Sequence, residues 1–279
     1  MDIVTGAKIM KKITGEFRKK NKTIGFIPTM GALHEGHLKL VRESKVKNDM
    51  TIVSIFVNPA QFSPNEDLAK YPHPFEQDKK LLENEKVDYL FYPNTKTMYP
   101  DGFQTNVTTT KLANIFEGKS RPGHFAGVTT VVLKLFNLVN PTNIYFGQKD
   151  FQQCVVIKQM VRDLNLPINV NVVPTVRDKD GLALSSRNIF LNSQERLQAL
   201  SLYQLLLLGK KLILAGNKNV RTIKTKMKDY LQKYKQVRLD YVEICNPENL
   251  SPIKIISKKA VILIAAYVGK TRLIDNIIV

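Results

Sequence analysis

The 279-residue chain contains only two cysteines, Cys154 and Cys245, far apart in the sequence. That excludes a disulfide-stapled scaffold and points to free thiols in a reducing compartment. No apolar run is long enough to span a bilayer: the longest, Ala260 to Val268, suits a buried strand. Near the N-terminus Lys11, Lys12, Arg18, Lys19 and Lys20 occur without the hydrophobic stretch of a secretory signal. No internal repeat is visible. These absences lead us to expect a soluble cytoplasmic protein with no membrane partner.

Acidic residues are also scarce, with 24 Asp and Glu against 42 Lys and Arg, a net charge of +18. The imbalance is steepest from Asn192 onward, where 16 basic residues stand against 6 acidic ones. A nucleic-acid binder could look like this. Yet segments such as Lys224-Thr-Lys-Met-Lys228 spread their charge along expected helices without interleaved aromatics or a recognisable module. We read a solvated surface that attracts anionic substrates, and no nucleic-acid partner.

What is present centres on Thr23 to Val41. A short apolar run ending at Pro28 reads as a buried strand, Thr29-Met30-Gly31 as a tight turn, and the spacing of Leu38, Leu40 and Val41 as a helix. Gly31 and Gly36 remove Cβ atoms where a ligand would approach the backbone. His34 and His37 lie three apart, which puts both imidazoles on one face of a first helical turn. A helix N-terminus there favours an anion such as phosphate.

The remaining chain alternates strands with helices, which argues for a parallel α/β sheet. Residues up to Lys22 read as one helix with Ile9, Ile13 and Phe17 on its apolar face. Met50 to Val57 reads as a strand, and its end places Asn58 and Gln61 where parallel sheets bind ligands. Phe75 to Asn84 reads as a helix, Val87 to Tyr92 as a strand. A glycine-rich loop holding Arg121 and His124 runs into a helix buried through Val128, Val131, Val132, Leu135 and Leu138. In Asn143 to Gln153 the strand–turn–helix pattern recurs. There Gly147 permits close approach, Lys149 offers a cation to a triphosphate, and Asp150 suits ribose hydroxyls or a helix start. Ile168 to Val173 is a further strand. In Val176 to Asn188, Ser185 and Ser186 are single donors and Arg187 a two-point one, a set that suits phosphate oxygens. Helices over Gln194 to Leu214 and Val220 to Lys235 follow, with strands at Leu239 to Ile244, Ala260 to Val268 and Thr271 to Val279. The expected architecture is a Rossmann-like parallel-sheet domain over residues 1–178, a loop and hinge at 179–191, and a smaller α+β cap domain over 192–279.

Pro28-Thr-Met-Gly-Ala-Leu-His-Glu-Gly-His37 resembles the His-x-Gly-His signature of nucleotidyl transferases and class I aminoacyl-tRNA synthetases. In its longer form, with Phe56-Val-Asn-Pro-Ala-Gln-Phe62, Arg121-Pro-Gly-His-Phe-Ala-Gly-Val128, Gly147-Gln-Lys-Asp150 and Leu184-Ser-Ser-Arg187, it is similar to the pantothenate synthetase (pantoate–β-alanine ligase) family. Glu66-Asp67-Leu68 through Tyr71-Pro72 follows the same family. The resemblance implies condensation of pantoate with β-alanine, driven by ATP through a pantoyl adenylate, with Mg2+ on the nucleotide and a homodimeric assembly. It implies ATP contacts from Met30, Gly31, His34, His37, Gly147, Lys149, Asp150, Val176, Leu184, Ser185, Ser186 and Arg187. Pantoate falls to Asn58, Gln61, Tyr71 and Gln153, and chemistry to His34, His37, Lys149 and Arg187. Magnesium ligands are not assigned, with Asp78 one candidate. The chain departs from the family pattern at His73, where Arg is expected, at Gln148, where Glu is frequent, and at Leu184, where Met is usual.

Overall fold

The computed structural model describes residues 1–63 and 68–279, so Glu66 and Asp67 lie outside the described residues. Contact density divides the chain into two units: Met1–Gly147 with Val156–Val173, and Gln148–Val155 with Pro174–Val279.

The first unit is built on six parallel strands, β1 (Asp2–Val4), β2 (Ile24–Thr29), β3 (Met50–Ile55), β4 (Tyr89–Phe91), β5 (Asn143–Gly147) and β6 (Asn169–Val173). They pair in the order β1-β4-β3-β2-β5-β6. Helices α1 (Ala7–Lys19), α2 (Glu35–Lys47), α3 (Phe75–Asn84) and α6 (His124–Val139) accompany them, with single turns α4 (Thr95–Met98) and α5 (Glu117–Ser120). Every residue of β3 is buried, which is why it reads as a continuous apolar run rather than an alternating one. β2 and β3 stay in register from Ile24 opposite Met50 to Thr29 opposite Ile55. Ile27, Leu40, Val41, Val53, Leu82, Leu90 and Tyr145 form one core cluster on this sheet. Strand order reverses between β2 and β5, and such a reversal opens a crevice beyond the C-terminal strand ends.

The N-terminal expectation needs correction. Residues 1–22 are not one helix, because Asp2–Val4 adds a parallel edge strand beside Tyr89–Phe91 before α1 begins. Nor is Ile9 on the packed face: it is 58% exposed, whereas Met10 and Thr14 are buried. The spacing identified a helix but not the stripe that meets the core.

In the second unit, β7 (Val237–Cys245), β8 (Val261–Val268) and β9 (Thr271–Ile278) form an antiparallel sheet. Helices α8 (Ser193–Leu214) and α9 (Val220–Leu231) supply its core with Leu202, Leu205, Leu206, Ile223 and Met227, which pack with Ile244, Ile262 and Ile264. α8 opens on a capping box in which Asn192 and Glu195 exchange side-chain and backbone bonds at 2.9 and 3.0 Å. Among the described residues it is the one helix whose length and composition would allow a membrane crossing. Its Ala199, Leu202, Leu205 and Leu206 are instead buried in this core. The helix α7 (Phe151–Asp163) contributes residues to both units.

Candidate active site

The turn between β2 and α2 carries the paired histidines. His34 is the N-cap of α2 with an extended backbone, and its Nδ1 accepts the Gly36 N–H at 3.2 Å. His37 Nδ1 accepts the His34 N–H at 3.3 Å. The result is a capping box made of two imidazoles where Ser and Glu ordinarily stand. A Cβ on Gly36 would lie 2.9 Å from the His34 ring, so only glycine lets that ring fold over the helix start. The two ring centroids are 4.1 Å apart. With both Nδ1 atoms accepting, each neutral imidazole carries its hydrogen on Nε2. The pair is therefore two donors at a helix N-terminus, an arrangement suited to phosphate oxygens.

Beyond β3, Pro59–Gln61 forms a 3-10 turn capped by Asn58, whose Oδ1 accepts the Ala60 N–H at 3.3 Å. Asn58 and Gln61 are both buried. Asn58 Nδ2 donates to Gln61 Oε1 and to the Gly127 carbonyl, each at 3.1 Å, while Tyr99 donates its hydroxyl to Asn58 Oδ1 at 2.7 Å. Gln61 Nε2 in turn lies 2.9 Å from Met30 Sδ. The glutamine backbone is held as well: its carbonyl oxygen is 2.8 Å from His124 Nδ1, and His124 Nε2 is 3.0 Å from Arg121 Nη1. An Arg donor at Nε2 leaves Nδ1–H to donate to Gln61. Arg121 and His124 thus act on the Gln61 backbone, a role their glycine-rich loop did not reveal. Tyr99 carried no sequence signal at all.

Tyr71 stands edge-on to Phe62 and to His73, with ring centroids 6.0 and 6.3 Å apart. A cavity of about 360 Å³ opens at the strand ends beside Met30, Gly31, Phe56, Phe75, Asp78 and Tyr92. Of the expected site residues in this unit, Met30 and Gly31 line it, whereas His34, His37, Asn58, Gln61, Tyr71 and Gly147 do not. Asp78 directs both carboxylate oxygens at backbone N–H groups, those of Ala32 at 2.8 Å and Leu33 at 2.7 Å. Burial pushes its carboxyl above the ordinary value, and the two N–H bonds pull it back.

Gly147 ends β5 in the first unit, and the second unit carries the remaining expected residues. Gln148–Asp150 form a short 3-10 turn, in which Lys149 Nζ is 3.6 Å from Asp150 Oδ1. Gln153 follows, half-buried in the first turn of α7. Asn276 of β9 accepts from Gln148 Nε2 at 3.2 Å and donates to the carbonyls of Gln148 and Lys149, both at 2.9 Å. Val176 to Leu184 is a small hairpin: the Leu184 N–H reaches the Val176 carbonyl at 3.0 Å and Arg177 bridges Ala183. Ser185 Oγ accepts the Arg187 N–H at 3.3 Å and so caps the 3-10 turn Ser186–Phe190. Arg177 pairs with Asp275 and lies 3.9 Å from the Tyr203 ring centre. Arg177, Asp275 and Asn276 were not singled out in the sequence, because nothing local marks them.

The six-stranded parallel sheet with its strand-order reversal, and paired imidazoles at the N-terminus of α2, make the first unit a Rossmann-like α/β domain. Residues 2–278 match the family model described as pantoate-beta-alanine ligase. The chain belongs to that family. A pantothenate synthetase of Caldicellulosiruptor saccharolyticus is 57% identical over 270 residues, 97% of this chain and 96% of the relative. Another, of Thermotoga petrophila, is 53% identical over 278 residues, 100% of this chain and 99% of the relative. Among solved structures, pantothenate synthetase from Thermus thermophilus superposes with a TM-score of 0.94 at 41% identity, covering 99% of both chains. The Francisella tularensis pantoate-beta-alanine ligase, complexed with beta-gamma ATP and beta-alanine, gives 0.80 at 40% identity, covering 99% of this chain and 97% of that one.

Proposed function

We propose that this chain joins pantoate to β-alanine at the expense of ATP, by way of an enzyme-bound pantoyl adenylate. The pantoate carboxylate attacks the α-phosphorus, the bond to the β-phosphate breaks, and pyrophosphate leaves. The β-alanine amine then attacks the acyl carbon, the acyl–phosphate bond breaks, AMP leaves, and the amine gives up a proton. The observation that carries this reading is the imidazole pair of His34 and His37, each with Nδ1 turned to the backbone, in a chain that matches the ligase family over nearly its whole length.

Attack at phosphorus builds charge on the phosphate oxygens. His34 and His37 meet it as Nε2 donors, and Lys149 and Arg187 as cations. Met30, Gly31, Gly147, Asp150, Val176, Leu184, Ser185 and Ser186 hold the rest of the nucleotide. Asn58, Gln61, Tyr71 and Gln153 align pantoate, and alignment of two anionic reactants supplies much of the rate. Among the described residues no group of three or more His, Cys, Asp or Glu could hold a metal. A magnesium ion carried by the triphosphate would supply charge neutralisation there, and no protein ligand is assigned to it. We assign a homodimer, to be checked by light scattering, and a cytoplasmic location, which two buried cysteines outside any disulfide, Cys154 and Cys245, fit.

The test is release of pyrophosphate and AMP from ATP, magnesium and pantoate, with and without β-alanine. Pantoate-dependent pyrophosphate, with AMP and pantothenate appearing only when β-alanine is added, is the expected result. Folded protein that gives no pantoate-dependent pyrophosphate, even as a burst, overturns the substrate assignment. His37→Ala and Lys149→Ala should each lower adenylate formation by a factor on the order of 100 or more.

A further inference from the structure

The Met30–Leu33 turn adopts an unusual backbone. Gly31 and Ala32 follow one another in the left-handed region, at φ +82 and +50. Glycine adopts this conformation freely, but alanine does so only under strain. At Gly31 glycine is required twice over, since a Cβ there would also lie 3.0 Å from Asp78 Oδ2. Something outside the turn must hold it. Asp78 in α3 is 1% exposed, and its carboxylate accepts from the N–H of Ala32 through one oxygen and of Leu33 through the other.

We infer that Asp78 is a positioning residue of the adenylating site, whose buried carboxylate clamps the left-handed turn that carries Met30 on one side and His34 on the other. This inference rests on the proposed ligase reaction. Both flanks of the turn matter to it. Met30 Sδ sets the place of Gln61 Nε2, and His34 is the residue next to Leu33 and begins the imidazole capping box. Loss of the clamp lets the turn relax toward ordinary φ values, and both ends then shift together. A buried carboxylate is an expensive group to keep. Here its two oxygens are directed at donors of the turn, which assigns it to geometry rather than to magnesium.

The test uses Asp78→Asn, Ala32→Gly and the double variant. Asn fills the same space but turns an N–H donor toward one of the two backbone donors. In D78N we expect kcat for pantoate-dependent pyrophosphate release to fall roughly 10- to 100-fold. The KM for ATP should rise at the same time, because Met30 and His34 are both assigned to the nucleotide, and magnesium should not restore the rate. Amides of Ala32 and Leu33, slow to exchange in the wild type, should exchange about tenfold faster or more. Glycine at position 32 removes the strain that the clamp opposes, so the double variant should recover most of the lost kcat. Wild-type turnover in D78N overturns the proposal, as does a defect that excess magnesium repairs and A32G does not. If D78N fails to fold, exchange in the wild type decides: unprotected amides at Ala32 and Leu33 refute the clamp. The exchange arm needs no substrate, so it stands apart from any failure of the ligase assay.

Discussion

The Arg177 guanidinium and the Asp275 carboxylate meet through two parallel bonds, at 2.7 and 2.8 Å. Asp275 is 4% exposed and Arg177 16%, so this is a two-point pair largely removed from water. It ties the hairpin that leads to Ser185, Ser186 and Arg187 onto β9. The next residue along the strand, Asn276, ties down Gln148 and Lys149. One stretch of β9 therefore anchors two of the segments assigned to ATP.

Removal of Asp275 leaves Arg177 buried without its counter-charge. Asp275→Ala should destabilise the protein by about 3–5 kcal/mol, measured by denaturant unfolding. Asp275→Asn should cost less and raise the KM for ATP. A variant within about 0.5 kcal/mol of wild type would mean that the pair is not needed for stability.

Asn276→Ala strips a donor from two carbonyls at once. We expect a several-fold rise in the KM for ATP, with the KM for pantoate within about twofold, as for a defect confined to nucleotide binding. Equal effects on both substrates would count against this division.

Tyr99 bears on Asn58, one of the residues we assign to pantoate. Its phenol, raised to about 12 by burial, stays protonated throughout an ordinary assay range and donates to Asn58 Oδ1. Tyr99→Phe deprives a buried amide oxygen of that donor, a loss of about 1–3 kcal/mol. The expected outcome is a higher KM for pantoate and no change in the shape of the pH–rate profile between pH 6 and 9.

Asp49 gives a signed pH dependence. Its carboxylate accepts from the Thr23 N–H at 2.9 Å, from Thr23 Oγ1 at 2.8 Å and from Lys22 Nζ at 2.9 Å. The backbone bond, followed by the Lys22 and Thr23 side chains, holds its pKa well below the usual carboxylate range. The depressed folded value means that its stabilisation is present above pH about 4 and fades as pH falls toward 2. Asp49→Asn should therefore be less stable than wild type at pH 7, with the gap closing in acid. A gap that persists unchanged at pH 2 would show that the charge is not its source.

Cys245 should be chemically silent. It is 1% exposed, and burial first, with Glu243 adding, pushes its thiol up to about 12. Thiol reagents at pH 8 should modify it only after unfolding, since the thiolate is the reactive form. Rapid labelling of native protein, traced to Cys245 by mass spectrometry, would contradict the packing.

The strand–turn–helix at Thr23 to Val41 was legible in the sequence because its signals are local. A β-branched run, a glycine at the turn and histidines three apart each act within one or two turns of chain. The same holds for the Asn58 turn, for α3 at Phe75–Asn84, and for the parallel α/β class, which follows from alternation alone. Some local signals pointed the wrong way: Ile9 has the right spacing for a core residue yet faces solvent, because α1 buries Met10 and Thr14 instead.

How the expected site is held in place was not legible, even where Asp78 and His124 were named. Asp78 is 46 residues from Ala32, Tyr99 is 41 from Asn58, His124 is 63 from Gln61, and Asn276 is 127 from Lys149. Along the chain each looks like a surface acid, a loop aromatic or a strand polar residue. Only tertiary packing excludes water from them and makes each bond worth keeping. The edge strand Asp2–Val4 is a similar case, since three residues carry no period and exist as a strand only through pairing with Tyr89–Phe91. Sequence alone determined which groups could do the chemistry, because side-chain type and short-range spacing are covalent facts. The tertiary structure decided which distant side chains fix those groups, because burial and long-range hydrogen bonds arise only when the chain closes on itself.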